Sequence, residues 1–350
     1  MKKVFFVIPT LQGGGAENVI SKLVLNLDKN KYKVSVVVFN LSKQIYLKQK
    51  NIKILNLGSK KISLGIFSFL KLIKLKKPDL IISTVSHLNL YISILKIFFP
   101  KNTKVIVRES NFLTQNINLQ SKSVIMKILY KIFYNNVDIS LVFSRKHKID
   151  IIKNTNINEK KIKIINNPVN VNLIKKLSRK KILDKYKKFF VKKNKTKFIY
   201  VGSLSYQKGL DILINSLSYL DKSKFILNII GRGSEQKKLK KLTVEKKLNN
   251  NINFLPYTIN PFPLILNSDA YVMFSRFEGM SNIILEVLAL NKPIIYLNNP
   301  GASTEVLKKV NSSFLINSNN PMMISKKIKS YRPKKVNLSN KELLKKFDIK

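Results

Sequence analysis

Short apolar runs alternate with longer amphipathic segments along almost the whole of this chain. No other feature of the sequence restricts the fold as much. Val4–Ile8, Lys33–Phe39, Ile52–Asn56, Leu80–Ser83, Lys104–Arg108 and Ile139–Phe143 have the length and side-chain content of strands. Between them, Ala16–Leu27, Ile66–Leu75, Leu90–Phe98 and Val124–Tyr134 read as helices. Strands alternating with helices at this pitch predict a parallel, doubly wound sheet. The same grammar restarts at Phe198–Val201. It continues through a helix at Leu210–Leu220, strands at Lys224–Ile230, Ile252–Leu255, Ala270–Phe274 and Pro293–Tyr296, a lysine-rich helix, a short helix at Pro263–Leu266 and another helix from Asn282. The expected architecture is therefore α/β, with two doubly wound Rossmann-like domains facing a cleft. Residues 1–168 form the first and 169–333 the second, followed by a short basic segment at 334–350. The break falls at Asn166-Asn167-Pro168, because proline disfavours helix in the residue before it. A length of 350 residues suits two cores rather than one.

Composition narrows the function classes. There is no cysteine, which excludes disulfide and thiolate chemistry and agrees with a reducing cytoplasm. The net charge of +48 suggests a polyanion partner, yet sixty of the 66 basic residues are Lys. Arginine is the usual reader of base edges, so its scarcity argues against specific nucleic-acid recognition. Attraction to phosphorylated ligands and anionic lipid headgroups is the functional reading of the charge; compositional bias over a solvated surface is the plain one. The apolar run Val4–Ile8 is too short for a secretory signal, and no run approaches the ~18 residues of a membrane span. The expected location is the cytoplasm, with peripheral attachment to the inner membrane as an option.

In such sheets ligands sit beyond the carboxyl ends of the strands. Four stretches fall there. Gly13-Gly14-Gly15 precedes the first helix, where backbone N–H groups suit a phosphate. Gly202 and Ser203, with Lys208 and Gly209, occupy the matching turn of the second half, and Gly231-Arg232-Gly233 follows the next strand. The fourth stretch, SRFEGMSNIILEVLAL from Ser275 to Leu290, carries most information. Asn282 and Glu286 lie four apart on one helix face that is otherwise apolar. A capping box would need Glu or Gln three residues after the cap; from Ser281 that is Ile284 and from Asn282 it is Leu285. Glu286 therefore lacks the simplest structural reason for its place. A buried carboxylate needs donors, and a polyhydroxylated ligand supplies them. His87 lies in the loop STVSHLN beyond a strand, whereas His147, in the basic run SRKHK, reads as solvated. No cluster of His, Asp and Glu has metal-ligand spacing, and the hydrolase elbow GxSxG is absent.

With these residues assembled, the chain resembles the retaining, nucleotide-sugar-dependent glycosyltransferases of family four, which have the GT-B fold. The resemblance spans nearly the whole length. It rests on GGGAE near the start, NNPV at the interdomain link, VGSLSYQKG, GRG and above all EGMSN with its two glutamates. It implies that Glu286 binds the ribose hydroxyls of the donor, and that Glu278 and the backbone of Gly279, Met280 and Ser281 contact the transferred sugar. It implies a diphosphate held by Lys208 with the amides of Gly14 and Gly15, and names His87 as the active-site histidine. Gly202, Ser203, Gly231, Gly233 and Asn282 complete the expected donor site. Transfer would retain the anomeric configuration by front-face attack, with no metal and no cofactor besides the donor, in a cleft that closes to exclude water. Two departures stand out. The family often has Arg where Ser203 stands, which shifts the diphosphate load to Lys208. It usually ends in a long helix crossing back to the first domain, where this chain has only a short basic segment.

The acceptor is expected to be a glycan or a polyprenyl-linked sugar in polysaccharide or lipopolysaccharide assembly, with a UDP-linked donor. Ile62–Lys77 and Lys122–Tyr134 are basic and amphipathic, a pattern that suits either a membrane interface or a core-facing helix with a solvated lysine face. A nucleotide-sugar epimerase of the same fold and a non-catalytic polyanion-binding protein are the alternatives.

Overall fold

The computed structural model describes residues 1–12, 14–41, 52–118, 123–190, 194–310, 313–332, 344 and 347. Gly13 and, apart from Leu344 and Phe347, the expected basic segment at 334–350 lie outside the described residues. The chain divides into two units, Met1–Asn167 and Pro168–Lys350. Each holds a parallel sheet.

In the first unit the strands are β1 (Lys2–Ile8), β2 (Tyr32–Val38), β3 (Lys53–Asn56), β4 (Leu80–Thr84), β5 (Lys104–Arg108), β6 (Ile139–Val142) and β7 (Ile162–Ile164). They run in the order β3-β2-β1-β4-β5-β6-β7. Side chains of β1 alternate between two cores, as the period of two requires. Phe5 and Val7 meet Phe69, Ile73, Leu88 and Tyr130 from three helices on one face. Val4, Phe6 and Ile8 meet Ile20 and Val24 of helix Gly15–Asn26 on the other. Each such side chain contributes about 1.5–3 kcal/mol on burial, so the period of β1 fixes which helices cover which face.

In the second unit the strands are β8 (Thr196–Val201), β9 (Phe225–Ile230), β10 (Ile252–Leu255), β11 (Ala270–Met273), β12 (Ile294–Leu297) and β13 (Ser313–Ile316). Their order is β10-β9-β8-β11-β12-β13. All six residues of β9 are buried. Both sheets therefore reverse direction once, between β1 and β4 in the first and between β8 and β11 in the second. Such switch points leave a crevice at the carboxyl ends of the two strands.

Two expectations need correction. The third helix begins at Ser86, not Leu90, so His87 sits in a first helical turn rather than a loop. Val85 before it has φ 83°, a conformation costing a β-branched residue about 1–3 kcal/mol. His147 is not solvated but fully buried in helix Arg145–Asn154. Its ring stacks on Phe112 at 5.0 Å and lies 5.6 Å from Phe143. Phe143 N–H donates to Nδ1 at 3.4 Å, which leaves Nε2 as the donor to the Asn111 carbonyl at 3.0 Å. Burial pushes its pKa down to about 4, helped by the charge of Arg108 and opposed by the Asn111 hydrogen bond.

Among the described residues no helix is long and apolar enough to cross a membrane.

Candidate functional site

The turns after β8 and β11, the two strands flanking the switch point of the second sheet, meet at Lys208 and Glu278. Lys208 closes a single 3₁₀ turn, Tyr206–Lys208, and Gly209 ends it at φ 60°. A Cβ on Gly209 would lie 2.1 Å from the Phe274 carbonyl, so the glycine both makes the turn and lets it press against the end of β11. Lys208 Nζ lies 2.5 Å from Glu278 Oε2, which also accepts from Ser275 Oγ at 3.1 Å. Glu278 is 6% exposed. A carboxylate so withdrawn from water needs a cation and donors, and these two residues provide them.

The remainder of the Glu278 loop is pinned by the segment after β12. Glu278 N–H donates to the Pro300 carbonyl at 3.3 Å. Ser303 N–H donates to the Gly279 carbonyl at 3.2 Å, and Ser303 Oγ accepts from Ser281 N–H at 2.8 Å. Asn299 Nδ2 donates to the Ser275 carbonyl at 2.7 Å and its Oδ1 accepts from Thr304 at 3.0 Å. Gly301 passes so close that a Cβ there would sit 1.9 Å from the Glu278 carbonyl. Gly279, Met280 and Ser281 are buried in this cradle. The Ser281 amide already serves Ser303, so any ligand contact of that residue falls to its other atoms.

Glu286 lies in helix Asn282–Ala289, where Ile284, Leu285, Val287 and Leu288 are at most 1% exposed and Glu286 is 7% exposed. Ser281 makes no side-chain cap. Glu278 and Glu286, together with burial as the larger effect, push the Tyr271 hydroxyl pKa upward. Tyr271 donates to the Val201 carbonyl at 2.9 Å and stacks on Tyr200, which donates to the Ser203 carbonyl at 2.8 Å. That pair forms the floor joining β8 to β11. The Ser203 residue itself is exposed.

Gly231 and Gly233 follow β9, the neighbour of β8. A Cβ on Gly231 would lie 1.9 Å from the Gly202 carbonyl, and one on Gly233 would lie 2.1 Å from the Leu204 carbonyl. These glycines serve the close packing of one turn on the next. Arg232 between them is exposed and lies 4.6 Å over the Tyr257 ring.

Sequence reasoning did not single out Arg276 and Asp211. Arg276 forks onto Asp211, with Nη1 to Oδ1 at 2.9 Å and Nη2 to Oδ2 at 2.6 Å, and also donates to the Tyr206 carbonyl at 2.7 Å. Its guanidinium lies 4.0 Å over the Tyr206 ring. Burial alone would raise the Asp211 carboxyl, but the bonds from Arg276 hold it below its usual value.

The first unit carries the other expected residues, at its own switch point. Gly14 is the N-cap of helix Gly15–Asn26 beyond β1. Glu17 folds back so closely that a Cβ on Gly14 would touch its carboxylate, and burial raises the Glu17 pKa. His87 follows β4. It is exposed, and desolvation by the neighbouring protein lowers its pKa. Beneath it, Tyr130 donates to the Ser86 carbonyl at 2.7 Å. Asn89 binds the fully buried Glu109 at 2.7 Å, and Tyr134 donates to the same oxygen at 2.6 Å. Burial raises the Glu109 pKa. Among the described residues no group of three or more His, Asp and Glu is placed to hold a metal ion.

Comparison with known proteins gives two family matches: glycosyl transferases group 1 over residues 158–343, and Glycosyltransferase Family 4 over residues 13–173. An uncharacterized glycosyltransferase of Methanocaldococcus jannaschii is 32% identical over 69% of this chain; the match spans 61% of that protein's length. The N-acetylgalactosamine-N,N'-diacetylbacillosaminyl-diphospho-undecaprenol 4-alpha-N-acetylgalactosaminyltransferase of Campylobacter jejuni is 26% identical over 87% of this chain and 83% of its own. Among solved structures, Anabaena HepE in complex with UDP-glucose has a TM-score of 0.76 at 17% identity, covering 99% of this chain and 92% of that one. WaaG, a glycosyltransferase involved in lipopolysaccharide biosynthesis, has a TM-score of 0.72 at 13% identity, over 93% and 90%. At these identities the solved structures speak for the fold alone, which is GT-B.

Proposed function

Because this chain belongs to the glycosyl transferases of group 1, we propose that it moves a sugar from a UDP-linked donor to a lipid-linked or glycan acceptor in cell-surface polysaccharide or lipopolysaccharide assembly. The observation that carries the donor site is the 2.5 Å pair of Lys208 and Glu278 at the switch point of the second sheet. It puts a cation and a buried carboxylate, the two groups a sugar diphosphate needs, within one bond of each other. The relatives support the acceptor class: two C. jejuni proteins that this chain resembles over 87% and 100% of its length are named for transfer onto undecaprenol-linked sugars.

In this reading Lys208 turns from Glu278 to the diphosphate as the donor enters, and Glu278 accepts hydrogen bonds from hydroxyls of the transferred sugar. Glu286 accepts from the ribose hydroxyls. The acceptor hydroxyl attacks the anomeric carbon on the face from which the diphosphate leaves. The bond between that carbon and the phosphate oxygen breaks, the new glycosidic bond forms, and the hydroxyl proton passes to the departing phosphate. Retention of configuration follows. Lys208 stabilises charge that grows on the leaving group, the kind of interaction that lowers a barrier. His87 at the switch point of the first sheet is the proposed active-site histidine, and Gly14 and Gly15 are proposed to offer amides to the diphosphate.

The chain is placed by this reading on the cytoplasmic face of the inner membrane. Helix Ser123–Phe133 presents Val124, Ile125, Ile128 and Ile132 to solvent, and helix Ile62–Lys76 presents Leu64, Phe67 and Leu75. Lysines stand between these apolar residues, the pattern that suits an anionic lipid interface.

Donor turnover tests the function. UDP release from a panel of UDP-sugars is expected in the presence of a polyprenyl-diphosphate-linked sugar and is expected to vanish in Glu278→Gln. Polyanion binding without catalysis would instead leave no release at all, and vesicle binding indifferent to Glu278 and Glu286.

A further inference from the structure

Lys208 stands in one short turn between β8 and helix Leu210–Leu217, and Glu278 stands in a loop after β11. Within the turn, Lys208 N–H donates to the Ser205 carbonyl at 2.9 Å and Gly209 N–H to the Tyr206 carbonyl at 3.2 Å. A single 3₁₀ turn is weakly held by itself, and a lysine carries a compact charge on a flexible stem. The Glu278 loop is pinned by the segment after β12, so it is the Lys208 turn that has to be held in register with it.

We propose that Arg276 is a positioning residue, which through Asp211 and the Tyr206 carbonyl locks the Lys208 turn onto the Glu278 loop without itself touching the donor. This inference rests on the donor site proposed above. The guanidinium spends three hydrogen bonds within the turn and its own neighbours: two on Asp211 and one on the Tyr206 carbonyl. Its flat face is covered by the Tyr206 ring. Arg276 N–H donates to the Gln207 carbonyl at 2.8 Å, and Gln207 Nε2 returns a bond to the Phe277 carbonyl at 3.1 Å. Tyr206, Gln207 and Lys208 are thus each bonded to Arg276, Phe277 or Glu278, and Gly209 packs against the Phe274 carbonyl. Asp211 anchors the far end, in the first turn of helix Leu210–Leu217, where a carboxylate is favoured by the helix dipole. A bidentate Arg–carboxylate pair fixes angle as well as distance, which a lysine at 276 would not do.

A positioning role and a merely stabilising one differ in a double-mutant cycle. UDP binding to the full-length protein is measured by calorimetry for the wild type, Lys208→Met, Arg276→Met and the double variant. Lys208→Met is expected to weaken UDP at least about tenfold and Arg276→Met about fivefold, while the double variant stays within about twofold of Lys208→Met, because Arg276 has nothing left to position. Equal losses from Arg276→Met with and without Lys208, or no loss at all, overturn the inference and leave the donor site standing. If Lys208→Met binds UDP as the wild type does, or the wild type does not bind it, the donor site falls and the inference with it. Should Arg276→Met fail to fold, Asp211→Asn carries the same cycle, with the same outcomes.

Discussion

Lys208 and Glu278 are each the other's principal charge partner, and that fixes what single substitutions do there. Removing Lys208 strands a carboxylate that is only 6% exposed, and a stranded buried charge is costly. Lys208→Met is therefore expected to destabilise the second unit by about 3–5 kcal/mol in urea unfolding, and Lys208→Met with Glu278→Gln to recover most of that loss. A double variant as unstable as the single one would show that the carboxylate was never the problem. Gly209 makes a different prediction. Alanine there meets both a positive φ and the Phe274 carbonyl, so Gly209→Ala should cost about 1–3 kcal/mol and lower donor affinity with it. At His147 the effect is on pH. Its folded pKa of about 4 lies below the ordinary value of 6.5, so the unfolded chain takes up a proton between those values and the folded one does not. His147 thus penalises the folded state progressively as pH falls from about 6.5 to 4, by of the order of 3 kcal/mol at the end. His147→Phe should flatten the fall in melting temperature from pH 7 to pH 5 relative to the wild type; parallel curves would show that the imidazole stays out of the balance.

At the scale of elements, the buried strands were legible because a parallel strand covered on both faces is a continuous apolar run. β1, β2, β8, β9 and β11 all lie within one or two residues of where their sequences put them. The first turn of helix Ser86–Leu95 was not legible, since Ser86, His87 and Asn89 carry no apolar period and Val85 takes a conformation its side chain disfavours. His147 was misread for a local reason: SRKHK looks solvated, although His147 and Ile151 are spaced by four on one face of helix Arg145–Asn154, and both are fully buried. The clamp on the donor site had no local signal at all, because Arg276 and Asp211 are 65 residues apart. Helix Ser123–Phe133 carries the prediction of this scale. Ile128→Glu should reduce sedimentation with vesicles containing anionic lipid and leave UDP affinity unchanged; equal sedimentation of both proteins would remove this helix from the membrane surface.

For the whole molecule, the two sheets repeat one device. Each reverses its strand order once, and the residues expected to do chemistry follow the strands on either side of that reversal: Gly14 and His87 in the first, Lys208 and Glu278 in the second. Topology thus gathers groups that lie 70 residues apart in sequence, which is why the fold could be read from the apolar pattern while the pairing of side chains could not. The strong positive charge, spread mainly over lysines, sets the salt dependence of encounters with anionic partners and does not choose the donor. The proposed function assigns that choice to the second unit, where Glu286 is buried in its apolar helix. Its most direct test is calorimetric titration of UDP- and GDP-sugars into the wild type and Glu286→Ala. The account predicts saturable binding of at least one donor by the wild type, weakened about tenfold or more by the loss of a charged hydrogen-bond acceptor. Binding of equal strength in the two proteins, or no saturable binding of any donor, would contradict it.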